Sequence, residues 1–381
     1  MHHNQLSFVE VPKPRAKLTT TMCNEIKEIR AIGVQDYSDW LNPKEFTYVP
    51  QQLRPYDIDI QVKACGICGS DIHAANGDWG EPYAPLAVGH EIVGIVVNAG
   101  PSARFKVGDR VGVGAQCDSC HECNRCIKGH QNNCHNVVGT YLSSYPSGKP
   151  TQGGYASHVR VNSEFAFKIP ENLSSVDAAP LLCGGITGFK PLLSAGVKPG
   201  SKVGVNGIGG IGHMSILFAK ALGAEVTAIS RSYAKRDLAF KLGADNYIST
   251  DDKESIRKNV DSLDLIVNTG SSFSEGSIQE ILSLLTVGGN MTFITAPPSD
   301  ERLVLNSAVF LANNISIGGS TIGSPKEIEY MLKVASENQI KPWIETLDIS
   351  EENVQRAWRR MIEGDVRFRF VLTGYDNYFK V

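Results

Sequence analysis

KVGVNGIGGIGHMSILFAKALGAEVTAIS, residues 202–230, is the stretch that decides the fold. A short apolar run, Val203 to Val205, leads into a glycine turn. Apolar residues at Ile211, Met214, Ile216 and Leu217 then recur at helical spacing, and a second apolar run ends at Ser230. Strand, turn, helix, strand is the βαβ unit of a parallel sheet. Gly207, Gly209 and Gly212 fit G-x-G-x-x-G, with Gly210 and Ile211 inside it. In that pattern the first glycine makes the tight turn, the second lets a pyrophosphate approach the backbone, and the third lets helix and strand pack closely. The helix start adds N–H donors and a dipole that favour phosphate. A dinucleotide is the ligand this predicts.

The same rhythm continues downstream through YAKRDLAFKLGA, LDLIVNTG and NMTFITA, and NNISIGGSTIG (313–323) reads as a sixth strand at the sheet's edge. Upstream the texture differs. From about residue 57, Ile58, Ile60 and Val62 alternate with polar neighbours. EIVGIVV (91–97), VGDRVGVG (107–114) and YASHVRV (155–161) follow, separated by Gly and Pro, so this half is mostly β. Beyond 323 come helices near 325–337 and 350–362 and a strand, FRFVLTG. We therefore expect an α/β protein in which a doubly wound unit, 183–322, is inserted into a β-rich domain formed by 25–182 and 323–381. Residues 1–24 read as a disordered tail, with Met22 an alternative start.

At the end of the second strand a carboxylate would hold a ribose 2′-hydroxyl. Here the residues are Ser230, Arg231 and Ser232, with Lys235 close behind. Hydroxyls and cations hydrogen-bond a 2′-phosphate that a carboxylate would repel. NADP(H) is therefore predicted over NAD(H).

Five of the nine cysteines lie in GAQCDSCHECNRCIKGHQNNCHN (114–136), too clustered for a disulfide scaffold. Cys120, Cys123, Cys126 and Cys134 form C-x2-C-x2-C-x7-C, which closes a tetrahedral zinc site of the structural kind within a lobe at about 115–137. Cys117 is the spare. A second metal site of the catalytic kind needs about three ligands and a replaceable fourth. Its candidates are Cys68 in CGICGSD, His90-Glu91 in GHEIVG and Cys183 in PLLCGGITG. Taken singly, Cys183 reads equally as core packing and His90 as a satisfied core histidine. Cys183, however, stands where the β half hands over to the βαβ half, and a metal there would face the cleft between domains.

Charge excludes other classes: 37 basic against 40 acidic side chains leave a net −3, with no basic footprint for nucleic acid or anionic lipid. No apolar run approaches the roughly 18 residues of a membrane span, and residues 1–21 lack a secretory core. A small-molecule partner and a cytoplasmic setting are expected.

CGICGSDIH, GHE, the four-cysteine lobe, LLCGGIT and GIGGIGH, in that order, resemble the zinc-containing medium-chain alcohol dehydrogenases. The Ser-Arg-Ser turn and the lobe spacing resemble the NADP-dependent cinnamyl-alcohol-dehydrogenase branch in particular, from about residue 26 to 380. The resemblance implies a GroES-like β-rich catalytic domain carrying an inserted Rossmann sheet, with one catalytic and one structural zinc per subunit. By position, Cys68, His90 and Cys183 match the catalytic zinc ligands, and Glu91 the neighbouring carboxylate. Ser70 and His73 match a proton relay, Asp71 a residue beside the ligands, and Thr187 a nicotinamide contact. Trp79 is similar in position to an aromatic substrate-pocket residue, with a core tryptophan as the other reading. The implied reaction is hydride transfer between NADPH and aromatic or medium-chain aldehydes, in a homodimer paired through the sheet edge. A polyol dehydrogenase of the same superfamily, a silent NADPH-binding redox sensor and a zinc-ribbon module are the competing readings. Ser230 argues against the first, the intact Cys68, His90, Cys183 and Ser70 set against the second, and the third explains the lobe alone.

Overall fold

The structure is a computed structural model and describes residues 26–270, 275–295 and 302–381. The tail expected over residues 1–24 lies outside the described residues. A hairpin-like pair, β1 (Ile29–Gly33) and β2 (Lys44–Tyr48), comes first and runs antiparallel. The β-rich half then lays down β3 (Asp57–Ile67), β4 (Glu91–Ala99) and β5 (Arg110–Val113). The short antiparallel pair β6 (Gln116–Asp118) and β7 (Val138–Gly139) brackets the cysteine lobe. Strands β8 (His158–Asn162) and β9 (Ala166–Lys168) complete this part.

Six parallel strands follow: β10 (Lys202–Asn206), β11 (Glu225–Ser230), β12 (Asn246–Ser249), β13 (Leu263–Asn268), β14 (Leu285–Phe293) and β15 (Ser316–Gly319). Their order in the sheet is β12-β11-β10-β13-β14-β15. Numbered within the sheet this is 3-2-1-4-5-6, the dinucleotide-binding order, with its switch point between β10 and β13. Val203, Val205, Val226, Ala228, Leu265 and Val267 are buried on one face of the sheet and Ile229, Ile248 and Ile266 on the other, as a sheet covered on both faces requires.

The chain then returns. β16 (Ile344–Asp348) and β17 (Arg369–Thr373) join the first sheet, which runs β16-β17-β3-β4-β5-β9, with β8 also on β3. One core runs from Phe167, Leu181 and Leu182 through the helix Gly184–Ser194 to Met214 and Phe218, so the two halves share apolar packing. The stretch YAKRDLAFKLGA yields a shorter helix than its length suggests, Arg236–Lys241, because a 3-10 turn at Tyr233–Lys235 capped by Ser232 takes its start. Among the described residues, no helix is long and apolar enough to cross a membrane.

Candidate metal and dinucleotide centre

Cys68 precedes the helix Gly69–Ala75, and Asp71 in its first turn accepts from the Cys68 N–H at 2.8 Å, which fixes the thiol at the helix start. His90 and Glu91 enter β4. Glu91 lies across β3, where a Cβ on Gly66 would stand 2.0 Å from Glu91 Oε2, so CGIC needs its glycine for this carboxylate to fit. Cys183 begins the helix Gly184–Ser194. One donor atom from each of Cys68, His90, Glu91 and Cys183 lies within 4.8 Å of the others, and all four residues are buried.

The bonding around these four is incomplete in an informative way. His90 Nδ1 meets Tyr141 Oη at 2.9 Å and Asp71 Oδ1 at 3.2 Å, while its Nε2 is buried without a partner. Glu91 Oε1 accepts from the Gly184 N–H at 3.3 Å and faces Arg369 Nη1 at 3.4 Å, and Oε2 is also orphaned. Buried polar atoms are almost always paired. Two orphaned acceptors converging with two sulfurs fit a divalent cation. Hydrogen bonding to Cys183 holds the Cys68 thiol well below its usual range and pushes Cys183 up, and burial lifts the Glu91 carboxyl to about 8. A cation takes the place of those shared protons.

The lobe repeats the logic with sulfur alone. Cys120–Cys126, Cys123–Cys126, Cys123–Cys134 and Cys134–Cys120 Sγ separations are 3.9, 3.6, 3.9 and 3.4 Å. A tetrahedron with metal–sulfur bonds of about 2.3 Å has edges of roughly 3.8 Å. Cys117 stays apart, its Sγ directed to the Gly139 carbonyl at 3.3 Å, and Cys65 is a buried packing residue.

The dinucleotide loop sits across the cleft. Gly207 has φ +91, and a Cβ on Gly212 would stand 1.9 Å from the Gly207 carbonyl oxygen, so turn and helix close on each other only without side chains. A Cβ on Gly209 would meet nothing within 4 Å, which marks the open, ligand-facing side of the cradle. Ile211 and Thr187 share with Cys68, His90 and Cys183 one cleft of about 420 Å³. Lys235 Nζ donates to the Ile208 carbonyl at 2.8 Å, Arg231 is exposed at the end of β11 beside half-buried Ser230, and Ser232 Oγ accepts from the Ala234 N–H at 3.4 Å.

Ser70 is half-buried in the same cleft, its Oγ 3.7 Å from Cys68 Sγ. His73 stands outside, paired through Nδ1 with Asp78 at 2.8 Å and stacked on Trp79 at 5.4 Å. Trp79 is 52% exposed and lines the cleft mouth, which removes the core reading. Tyr141, Asp78 and Arg369 escaped the sequence reading. Each is a lone residue whose partner is remote or unpatterned, so no spacing announces it.

A cluster of sulfur and imidazole donors facing a Rossmann glycine loop across one cleft defines a zinc-binding, nucleotide-dependent dehydrogenase. The family model described as "Alcohol dehydrogenase GroES-like domain" matches residues 54–171, and "Zinc-binding dehydrogenase" matches 210–337. The chain is 47% identical to NADP-dependent alcohol dehydrogenase 6 of Saccharomyces cerevisiae over 93% of its own length and 98% of the relative's. Among solved structures it resembles a cinnamyl alcohol dehydrogenase from Sorghum bicolor, with a TM-score of 0.85 and 34% identity over 91% of this chain and 98% of that one. It also resembles the Helicobacter pylori enzyme of that type complexed with NADP(H), with a TM-score of 0.83 and 30% identity over the same shares. The chain belongs to the zinc-containing medium-chain alcohol dehydrogenases.

Proposed function

We propose that this enzyme is an NADP(H)-dependent alcohol dehydrogenase that works mainly as a reductase of aromatic or medium-chain aldehydes. The observation that carries this reading is that Ile211 of the glycine loop and the Cys68, His90 and Cys183 cluster line one cleft. Bound there, zinc supplies Lewis-acid polarisation of the substrate oxygen and the nicotinamide supplies or accepts hydride.

The chain's own residues do the rest. Cys68, His90 and Cys183 hold the metal, with Glu91 poised as an alternative ligand. Asp71 fixes His90 and the Cys68 N–H together, as a metal-ligating histidine's outer partner does. Ser70 passes a proton at its Oγ between the substrate oxygen and the outside, and His73, with Nδ1 on Asp78, receives or supplies it at the cleft mouth. Thr187 borders the nicotinamide. Trp79, Leu142 and Ile322 give the apolar wall that favours aromatic or aliphatic carbonyls. Gly207, Gly209, Gly210, Ile211 and Gly212 cradle the pyrophosphate, while Ser230, Arg231, Ser232 and Lys235 receive the 2′-phosphate. The lobe's four cysteines hold a structural zinc. The domain boundaries follow at 182/183 and 322/323.

A homodimer through β15 and a cytoplasmic setting complete the reading. The open outer edge of β15 supports the first, and a thiolate-rich lobe that holds metal only while reduced supports the second. The test is a steady-state panel of aldehydes and alcohols with NADPH and NADH side by side, on protein of measured zinc content. We expect aldehyde-dependent NADPH oxidation with kcat/KM at least tenfold above that with NADH. Equal rates with NADH would remove the Ser230 and Arg231 assignment.

A further inference from the structure

The strip Arg367-Phe368-Arg369, where the chain enters β17, is packed on the dinucleotide loop from the opposite half of the molecule. Phe368 stacks on His213 with centroids 4.8 Å apart and planes at 14°. Its N–H donates to the Trp343 carbonyl at 2.9 Å, and its own carbonyl oxygen lies 3.4 Å from where a Cβ on Gly210 would stand. The two arginines then part company. Arg369 turns inward to Glu91 and the Ile67 carbonyl. Arg367 stays exposed, and among the described residues its guanidinium has no hydrogen bond or ion pair.

On the other flank of the same loop, Lys235 is tied to the Ile208 carbonyl and Arg231 directly follows β11, also without a carboxylate partner among the described residues. The acids nearby are committed elsewhere. Asp365 holds Arg360 at 2.8 Å, Glu345 holds Arg360 and the Arg367 backbone N–H, and Asp252 accepts from Tyr233 Oη at 2.6 Å. Burial, then Arg367, then Arg231 hold the Lys235 ammonium below its usual range, which sets Lys235 between the turn after β11 and the strip that packs on the glycine loop. Arg367 also acts on the Asp365 carboxylate, yet none of the three cations forms an ion pair among the described residues, and such a set is suited to a multiply charged anion, which forms charge-assisted hydrogen bonds with each.

We propose that Arg367 is the third cation of the 2′-phosphate site, supplied across the cleft by the β-rich half. The phosphate that distinguishes NADP(H) from NAD(H) then ties the two halves together, and Arg367 helps set the cofactor preference. This rests on the reading of Ser230, Arg231 and Lys235 as the phosphate-binding turn.

Calorimetry on the zinc-loaded full chain with 2′,5′-ADP and with 5′-AMP isolates the effect, since the probes differ only in the 2′-phosphate. We expect Arg367→Ala to weaken 2′,5′-ADP about tenfold, the order of one charge-assisted hydrogen bond, and to leave 5′-AMP unchanged. Arg367→Lys should recover part of the loss. Unchanged 5′-AMP binding also reports an intact fold. If wild type prefers 2′,5′-ADP and the alanine variant keeps that preference, or loses both probes equally, Arg367 has no such role. If wild type shows no preference, the phosphate-binding turn itself fails, and this proposal with it.

Discussion

His213 carries a titration that reaches beyond its own contacts. Its Nδ1 lies 3.2 Å from the Gly209 carbonyl, so that nitrogen bears the proton and donates, and Nε2 is buried without a partner. A second proton has nowhere to go. Burial, with Arg369 adding to it, holds the imidazole down to about 3. The unfolded chain takes the proton up near 6.5, so between these values the unfolded state binds more protons than the folded one. Stability is therefore complete above about pH 6.5 and falls as the pH drops toward 3, by about 1.4 kcal/mol per unit, or roughly 2 kcal/mol at pH 5. His213→Gln offers the Gly209 carbonyl an amide donor but cannot titrate. Melting followed from pH 7.5 to 5 should show the wild type losing stability faster than the variant, and parallel curves would refute the stranded-proton account. The glycine pattern places residue 213 beside the loop, whereas its stack on Phe368 joins residues 155 positions apart, which no local pattern encodes. The same divide runs through the metal centre: Cys68, His90 and Cys183 are legible by type and neighbourhood, Tyr141 and Arg369 only once folded.

At the scale of elements, the cysteine lobe is the clearest case of sequence dictating shape. Its helix, Asn124–Ile127, is four residues long, and a single turn does not hold itself in water. Apolar support is also thin, since Ile127 is 72% exposed. Beyond a few hydrogen bonds, such as Arg125 Nη1 to the Asn133 carbonyl at 2.7 Å and Gln116 Nε2 to the Gln131 carbonyl at 2.9 Å, the sulfur cage is what holds it. Cys123→Ser should reduce zinc from two ions per chain to one, expose the segment 120–134 to protease, and cost several kcal/mol of metal-coupled folding energy locally. Metal analysis and limited proteolysis read both effects. Two retained zincs with unchanged cleavage would count against the cage. Because Val137 lines the cleft, KM for a bulky aldehyde should rise as well. Elsewhere, legibility follows burial. The βαβ strands are covered on both faces and spell themselves out in apolar runs. The β1–β2 pair went unread because β2, KEFTY, has no buried residue and alternates too briefly to show.

The whole molecule leaves one boundary open. β15 is the last strand of the six-stranded sheet, with three of its four residues exposed and no strand on its outer edge among the described residues. Just before it, on the helix Ala308–Asn313, Leu311 is 84% exposed. An open strand edge beside a protruding leucine invites pairing, and a two-fold axis through that edge would close it by joining two sheets into one. Such an arrangement also limits growth, because each copy has a single β15 edge to offer. Leu311→Asp with Ile317→Asp puts four like charges at the axis, each desolvated by pairing, while leaving β13 and β14 in place. The doubly substituted protein should sediment as a monomer with an unchanged circular dichroism spectrum, and the wild type should sediment as a dimer. A wild type that is monomeric at micromolar concentration in zinc-containing buffer, or a double variant that remains dimeric, would place the subunit contact somewhere other than this edge.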